Sequence, residues 1–237
     1  MHAKAGFSLT NRYHAWTQLP GNTMLKAIFW DFGGVFTTSP FEAFNRYEVS
    51  RDIPLDFIRR INATDPETNA WAQLESSAVS TEQFDALFET ESAALGHRIP
   101  GREVLQLLSG DLRPRMVAAL RLAKSRFANA CITNNVRTGE GPTMARDPAK
   151  AATMADVMAL FDHVVESSKE GIRKPNPRIY ELACERSGVA PHEVLYLDDL
   201  GINLKPARAM GMTTIKVLTE AQTLGDLAAA TGLQVAR

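Results

Sequence analysis

Short apolar runs alternate with stretches of helical periodicity along most of this 237-residue chain. Buried strands that alternate with helices form βαβ units, which place the strands in one parallel sheet with helices on both faces. The pattern therefore predicts an α/β fold built on a doubly wound parallel sheet. The apolar runs are 26–31 (KAIFWD), 127–133 (FANACIT), 161–166 (FDHVVE), 194–198 (VLYLD) and 213–217 (TTIKV), and the helical patterns cover 114–125, 153–160, 177–187 and 203–210.

The long segment between the first two apolar runs shows helical spacing only. Apolar side chains recur there every three or four residues, as expected for amphipathic helices. Pro54 and Ser80-Thr81 are typical helix starts. We therefore predict a helical cap that is inserted into an α/β core. The predicted boundaries are 41–113 for the cap and 24–40 with 114–237 for the core.

The first 23 residues are polar and lack the apolar stretch of about 7–15 residues that marks a signal peptide. They end in a turn signal, Pro20-Gly21-Asn22. Residues 1–23 are therefore interpreted as an N-terminal extension, with Met24 as the expected native start.

Composition narrows the function classes. The formal net charge is −1 and no cluster of Lys and Arg forms a basic stripe, which argues against nucleic-acid binding. No run approaches the roughly 18 apolar residues of a membrane span. Cys131 and Cys184 are too few for a disulfide framework or a metal site, so both are interpreted as core residues. We expect a cytoplasmic protein, monomeric or homodimeric, that binds neither nucleic acid nor membrane.

Polar residues end the predicted strands. The first run ends at Asp31, the second at Thr133-Asn134-Asn135 and the fourth at Asp198-Asp199, while Lys174 lies in the loop after the third. Ligands of an open parallel sheet bind beyond the carboxyl ends of its strands. Each residue alone is more often a cap or a turn former. Adjacent carboxylates such as Asp198-Asp199 repel one another unless a cation lies between them. The four together therefore predict a site at one edge of the sheet.

In their order along the chain, these residues resemble the motifs of the haloacid dehalogenase superfamily. The matching segments, which span residues 31–212, are WDFGGVF, ITNN, GIRKPNPRIY and LYLDDLGINLKPARAMGM. Together with DFGGV, they most resemble the branch that contains the N-terminal phosphatase domain of soluble epoxide hydrolases. The stretch WAQLESSAVSTEQF is similar to the cap of that branch. The resemblance implies a Rossmann-like core with an inserted cap.

The resemblance also implies a Mg²⁺-dependent phosphatase for a small phosphorylated substrate. Asp31 would be the nucleophile that forms an aspartyl-phosphate, and Lys174 would neutralise charge. Thr133 and the Asn134 amide, with Lys174, would bind the phosphoryl oxygens. The implied metal ligands are Asp31, the main-chain carbonyl of Gly33, and Asp199, with Asp198 holding Lys174 or a metal-bound water.

Local chemistry around Lys174 supports precise placement of its side chain. Pro175 disfavours helical backbone angles at Lys174. Asn176 can cap a helix in which Pro177 takes the first position. The sequence thus predicts that Lys174 sits on a rigid turn immediately before a helix.

Gly33 differs from the usual motif of the superfamily's phosphatases. Phosphatases of the superfamily usually carry a second Asp two residues after the nucleophile, as acid/base for the leaving group. The glycine leaves two alternatives open. One is a metal-independent 2-haloacid dehalogenase, which shares the nucleophile, although Asp198-Asp199 argues against it. The other is a catalytically weak binding protein on the same fold.

Overall fold

The computed structural model describes residues 24–136 and 148–235. Its strands are β1 Ala27–Trp30, β2 Ala128–Thr133, β3 His163–Glu166, β4 Val194–Asp198 and β5 Thr213–Lys216. They form one sheet in the order β3-β2-β1-β4-β5, and every neighbouring pair is parallel. The predicted extension 1–23 lies outside the described residues.

Helices separate these strands along the described chain, and one helix follows the last strand. Their bounds are α1 Pro40–Ser50, α2 Phe57–Ala63, α3 Ala70–Glu75, α4 Thr81–Ala94, α5 Gly101–Gln106, α6 Pro114–Ala123, α7 Pro148–Met158, α8 Ser167–Glu170, α9 Pro177–Ser187, α10 Gly201–Ala209 and α11 Glu220–Thr231.

Both faces of the sheet are covered because side chains alternate along each strand. Ile28 and Trp30 of β1 point to one face, where α6, α7 and α11 supply buried residues such as Leu120, Val157 and Leu227. Phe29 points to the other face, where α9 and α10 supply a second cluster. The predicted doubly wound α/β fold is therefore confirmed.

The register places the end of β1 between the ends of β2 and β4. Trp30 is paired with Cys131 on one side and with Leu197 on the other. One residue further, the Asp31 N–H donates to the Leu197 carbonyl at 2.8 Å. Asp31 therefore leaves the sheet at its centre, at the edge where the carboxyl ends of the strands meet.

The helices α1 to α5, residues 40–106, form what is called here the helical insert. They share a further apolar cluster, which includes Phe44, Ile58, Phe84 and Phe88 and is joined by Val136 from the core. Ser80 caps α4 as predicted, and Gln83 completes a capping box with it.

The predicted helix start at Pro54 was wrong by three residues. The helix α2 begins at Phe57, after Asp56 in a left-handed conformation with φ 60°. The buried carboxylate of Glu48 accepts the Asp56 N–H at 2.8 Å and the Ile58 N–H at 2.9 Å. Glu48 in α1 thus satisfies the first donors of α2, and this distant cap sets the start of the helix.

Two helices were not predicted, and two begin earlier than predicted. The helix α11 has a capping box between Thr219 and Gln222, a signal that the sequence carries. The short α8 directly follows β3. The helix α7 begins five residues before Thr153, and α10 begins two residues before Asn203.

Both cysteines are buried and free, as predicted. Among residues 24–136 and 148–235, no helix is long and apolar enough to cross a membrane.

Candidate active site

Lys174 lies between two carboxylates at the centre of the sheet edge. Its side chain is 1% exposed. Its Nζ lies 2.8 Å from Asp31 Oδ1 and 2.8 Å from Asp198 Oδ2. The Phe32 N–H donates to the same Asp31 oxygen at 2.7 Å. One oxygen of Asp31 is therefore fixed by two donors, which orients the carboxylate.

Asp198 is surrounded by hydrogen-bond donors. Besides Lys174, it accepts hydrogen bonds from the Tyr196 hydroxyl, from the Leu200 N–H at 2.8 Å and from the Asn203 side-chain amide at 3.1 Å. Tyr196 reaches it because residues two apart on a strand share a face. These contacts make Asp198 a rigid anchor for Lys174.

Asp199 lies in close contact with the loop that follows Asp31. A Cβ on Gly34 would lie 2.2 Å from Asp199 Oδ2, and Gly34 has φ +73°. Only glycine accommodates both the close approach of Asp199 and the positive φ at this position. The residue before it differs, since Gly33 has no positive φ and no described atom lies within 4 Å of a Cβ placed there.

The three carboxylates form a group whose fit to a cation can be tested. One oxygen from each of Asp31, Asp198 and Asp199 lies within 4.8 Å of the others. Burial, together with the charges of Asp198 and Asp199, raises the pKa of Asp31 well above its usual range, although Lys174 opposes this. Burial and Asp198 likewise raise the pKa of Asp199 to about 6. The site thus holds more negative charge than Lys174 offsets, which suits a hard divalent cation.

Lys174 itself stays charged. Burial lowers the pKa of its ammonium group, but Asp198 and Asp31 outweigh this effect and raise the pKa above its ordinary value. A lysine held between two carboxylates serves as a permanent cation and not as a base.

The second strand delivers Thr133 and Asn134 to the same edge. Thr133 ends β2 and is buried. The Asn134 side chain accepts the Lys174 N–H at 2.8 Å and donates to the Lys174 carbonyl at 3.1 Å. Asn134 thereby holds the main chain of the lysine loop. Asn176 caps α9 as predicted, with Pro177 at the first helical position.

The comparisons with known proteins agree with this geometry. Residues 25–211 match the sequence profile of the haloacid dehalogenase-like hydrolases. The chain belongs to that family. It is 32% identical over 223 residues to bifunctional epoxide hydrolase 2 of Mus musculus, covering 89% of this chain and 39% of the mouse protein. It is 26% identical over 211 residues to the sesquiterpene phosphatase astK of Aspergillus oryzae, covering 86% and 96%.

Solved structures of haloacid dehalogenase-like proteins show the same fold. The putative hydrolase YfnB of Bacillus subtilis, bound to magnesium, has a TM-score of 0.59 at 16% identity, covering 89% of this chain and 100% of that one. The L-2-haloacid dehalogenase of Xanthobacter autotrophicus, with chloropropionic acid covalently bound, has a TM-score of 0.54 at 19% identity, covering 90% and 85%. The predicted family, its epoxide-hydrolase branch and a hydrolase are thus confirmed, while phosphatase and dehalogenase chemistry both occur among the relatives.

Several residues at this site were not predicted individually, and Asn203, a hydrogen-bond donor to Asp198, is one of them. Arg113 donates to the Gly34 carbonyl at 2.7 Å, and its charge lowers the pKa of Asp199 against the larger effect of burial. Tyr196 was visible in VLYLD as the residue two before Asp198. Glu75, from the helical insert, contacts Asn134, and no local sequence signal marks it.

Proposed function

We propose that the chain is a Mg²⁺-dependent phosphatase that hydrolyses a small phosphorylated substrate through an aspartyl-phosphate on Asp31. The placement of Asp31 carries this proposal. Lys174 and the Phe32 N–H hold Oδ1. Among the described residues no hydrogen bond reaches Oδ2, so this oxygen is free to attack. A phosphatase among the relatives supports the same reaction class.

In the proposed first step, Asp31 Oδ2 attacks phosphorus and the bond from phosphorus to the ester oxygen breaks. The departing oxygen carries the electron pair and takes a proton from water or from a group on the substrate side. In the second step, water attacks phosphorus and releases a proton to the solvent, the bond to Asp31 breaks with its electron pair returning to the carboxylate, and inorganic phosphate leaves. Lys174 stabilises the added charge in both steps, since its ammonium group already touches the nucleophile.

Mg²⁺ would be held by Asp31, by the main-chain carbonyl of Gly33 and by Asp199. Carboxylate and carbonyl oxygens are the ligands this ion prefers, and it keeps further positions for water and phosphate. When bound, it would offset the charge of the carboxylate group and of the phosphoryl oxygens.

Thr133 and Lys174 would bind the phosphoryl group from the second and third strands. The side chain of Asn134 is engaged by the Lys174 main chain and by Glu75, so Asn134 would contribute its main-chain N–H. The helical insert would act as the cap that selects the rest of the substrate, because it approaches this sheet edge.

A 2-haloacid dehalogenase is the second candidate, favoured by Gly33 and by the fold likeness to such an enzyme. In that reaction Asp31 would attack carbon and release halide without metal. Chloride release from chloroacetate in the presence of EDTA would establish it. We place it second because Asp199 lies beside Asp31, where a metal-independent enzyme has no use for a further carboxylate.

Phosphate release from an aryl phosphate tests the proposal directly. Purified protein with Mg²⁺ should release phosphate, whereas Asp31→Asn should lose more than about 10³-fold of kcat and keep its fold. Residual activity within about tenfold of the wild type would exclude Asp31 as the nucleophile. No release from any member of a panel of phosphorylated metabolites would instead favour a binding protein.

A further inference from the structure

Glu75 belongs to the helical insert, yet its carboxylate contacts the core. It is buried at the end of α3. Its Oε2 accepts a hydrogen bond from Arg173 Nε at 2.7 Å and one from Asn134 Nδ2 at 3.2 Å. Its Oε1 accepts one from Trp71 Nε1 at 2.9 Å. One buried carboxylate therefore joins α3 to the loops that follow β2 and β3.

Both core partners of Glu75 adjoin Lys174. Arg173 is its neighbour in the chain, and Asn134 brackets the Lys174 peptide unit by accepting its N–H and donating to its carbonyl. Asn134 has a fixed orientation in this arrangement, since its amide nitrogen faces two acceptors and its oxygen faces one donor. Glu75 is one of those two acceptors and so helps to set the position of the lysine loop.

Two further contacts hold the insert at the same place. Arg173 Nη1 donates to the Pro66 carbonyl at 2.9 Å, just before α3. The Ser77 hydroxyl, just after α3, donates to the Ser168 carbonyl at 2.9 Å. These contacts, on either side of Glu75, hold the segment that carries α3 against α8 and the lysine loop.

We propose that Glu75 is a positioning residue that couples the docking of the helical insert to the placement of Lys174. With the insert docked, Glu75 fixes Arg173 and Asn134, and Asn134 fixes the Lys174 main chain. When the insert moves away, both core partners lose a carboxylate and the lysine loop loosens. The effect on turnover rests on the proposed function, whereas the effect on the loop does not.

The hydrogen bonds of Glu75 indicate a substitution that tests its positioning role. Each of its three described partners is a donor, so a carboxylate satisfies all of them. Glu75→Gln keeps the size, but its amide nitrogen must face at least one of those donors. Arg173, whose side chain is 24% exposed, would lose its ion-pair partner, so the substitution weakens the contact between insert and core.

Glu103 offers a matched control. It accepts a hydrogen bond from the Tyr47 hydroxyl at 2.7 Å and one from Arg51 Nη2 at 2.8 Å. An aromatic donor and an arginine therefore meet a glutamate here too, but all three residues lie within the insert. Glu103→Gln should perturb the insert without touching the lysine loop.

The experiment measures amide hydrogen exchange of Lys174, whose N–H is held by Asn134, together with kcat and KM for an aryl phosphate. In full-length Glu75→Gln, the Lys174 amide should exchange faster, and kcat should fall about 10- to 100-fold, as expected for a misplaced charged group, with a smaller change in KM. Glu103→Gln should leave all three values unchanged.

Unchanged exchange at Lys174 in Glu75→Gln would overturn the proposal whatever the activity. A kcat that matches the wild type would overturn it too, because the lysine would then be positioned without Glu75. If the wild-type protein hydrolyses no phosphate ester, the proposed function fails by itself, and the exchange measurement alone decides the role of Glu75.

Discussion

The sheet edge and the helical insert use charge in opposite ways. At the edge, Lys174 is 1% exposed and bridges two buried carboxylates. In the insert, ion pairs such as Arg98–Glu89 and Arg102–Asp85 lie at the surface, with arginine side chains 76% and 64% exposed. Buried charges are costly to desolvate, whereas exposed pairs contribute at most about 1 kcal/mol. The edge therefore concentrates buried charge, whereas these two ion pairs of the insert are ordinary surface groups, and the buried Glu48 and Glu75 are exceptions within the insert.

Lys174→Met should give the largest contrast between the two regions. The variant should lose about 10²–10³-fold of kcat, because it lacks the cation that stabilises charge in the transition state. Its loss of stability should be smaller, since Asp198 keeps Tyr196, Asn203 and the Leu200 N–H as donors. Steady-state kinetics and urea unfolding measure the two effects. A variant that loses activity only because it unfolds would make Lys174 a structural ion-pair partner.

Asp199→Ala should weaken Mg²⁺ binding more than any substitution of an insert carboxylate. A methyl group cannot replace a carboxylate that ligates a hard cation. The Mg²⁺ concentration that gives half-maximal turnover should rise at least about tenfold, whereas Asp85→Ala in the insert should not change it. Full activity of EDTA-treated wild-type protein would contradict the metal site and favour the dehalogenase.

Gly33 stands where phosphatases of the superfamily usually carry the general acid for the leaving group, and the effect of this missing acid can be tested. Without an acid, aryl and acyl phosphates or a sugar 1-phosphate should be hydrolysed far better than alkyl phosphates, because general acid assistance is worth about 10²–10⁴-fold for poor leaving groups. Gly33→Asp is sterically free, since the residue has no positive φ and open space around its Cβ position. It should raise alkyl-phosphate turnover, with Gly34→Asp as an inactive counterpart that clashes with Asp199.

A flat dependence of kcat on leaving-group pKa in the wild type, with chemistry limiting, would mean that another group supplies the proton. The helical insert would then contribute to catalysis, and the sheet edge and the insert would differ less in how they use charge.

The pH dependence of Mg²⁺ binding is the smallest expected effect. Burial and Asp198 raise the pKa of Asp199 from 3.8 to about 6. Metal affinity should therefore increase as the pH rises through about 6, where Asp199 loses its proton. Without metal, the raised pKa of Asp199 means that the folded state favours its protonated form. The contribution of Asp199 to the free energy of unfolding is therefore present at low pH and is lost as the pH rises through about 6. The rise in Tm caused by Mg²⁺ should grow with pH, and a constant rise would argue against Asp199 as a ligand.

The same contrast governs what the sequence predicted. Asp31, Lys174 and Asp198 were predicted because parallel strands bring their carboxyl ends to one edge, whatever the details of packing. Glu75 was not, because its partners Asn134 and Arg173 lie 59 and 98 residues away and only the docking of the insert brings them together. The start of α2 was misplaced for a similar reason, since Glu48 of the preceding helix caps it. The capping box of α11, by contrast, is a local signal, since Thr219 and Gln222 are three residues apart.

Covalent labelling of Asp31 tests the central claim most directly. Wild-type protein with Mg²⁺ and an aryl phosphate is quenched in acid during the first turnover, digested and analysed by mass spectrometry. We predict phosphate on the peptide that contains Asp31, dependent on Mg²⁺ and absent from Asp31→Asn. Turnover with no phosphate on Asp31, or with phosphate on another residue, would contradict the account.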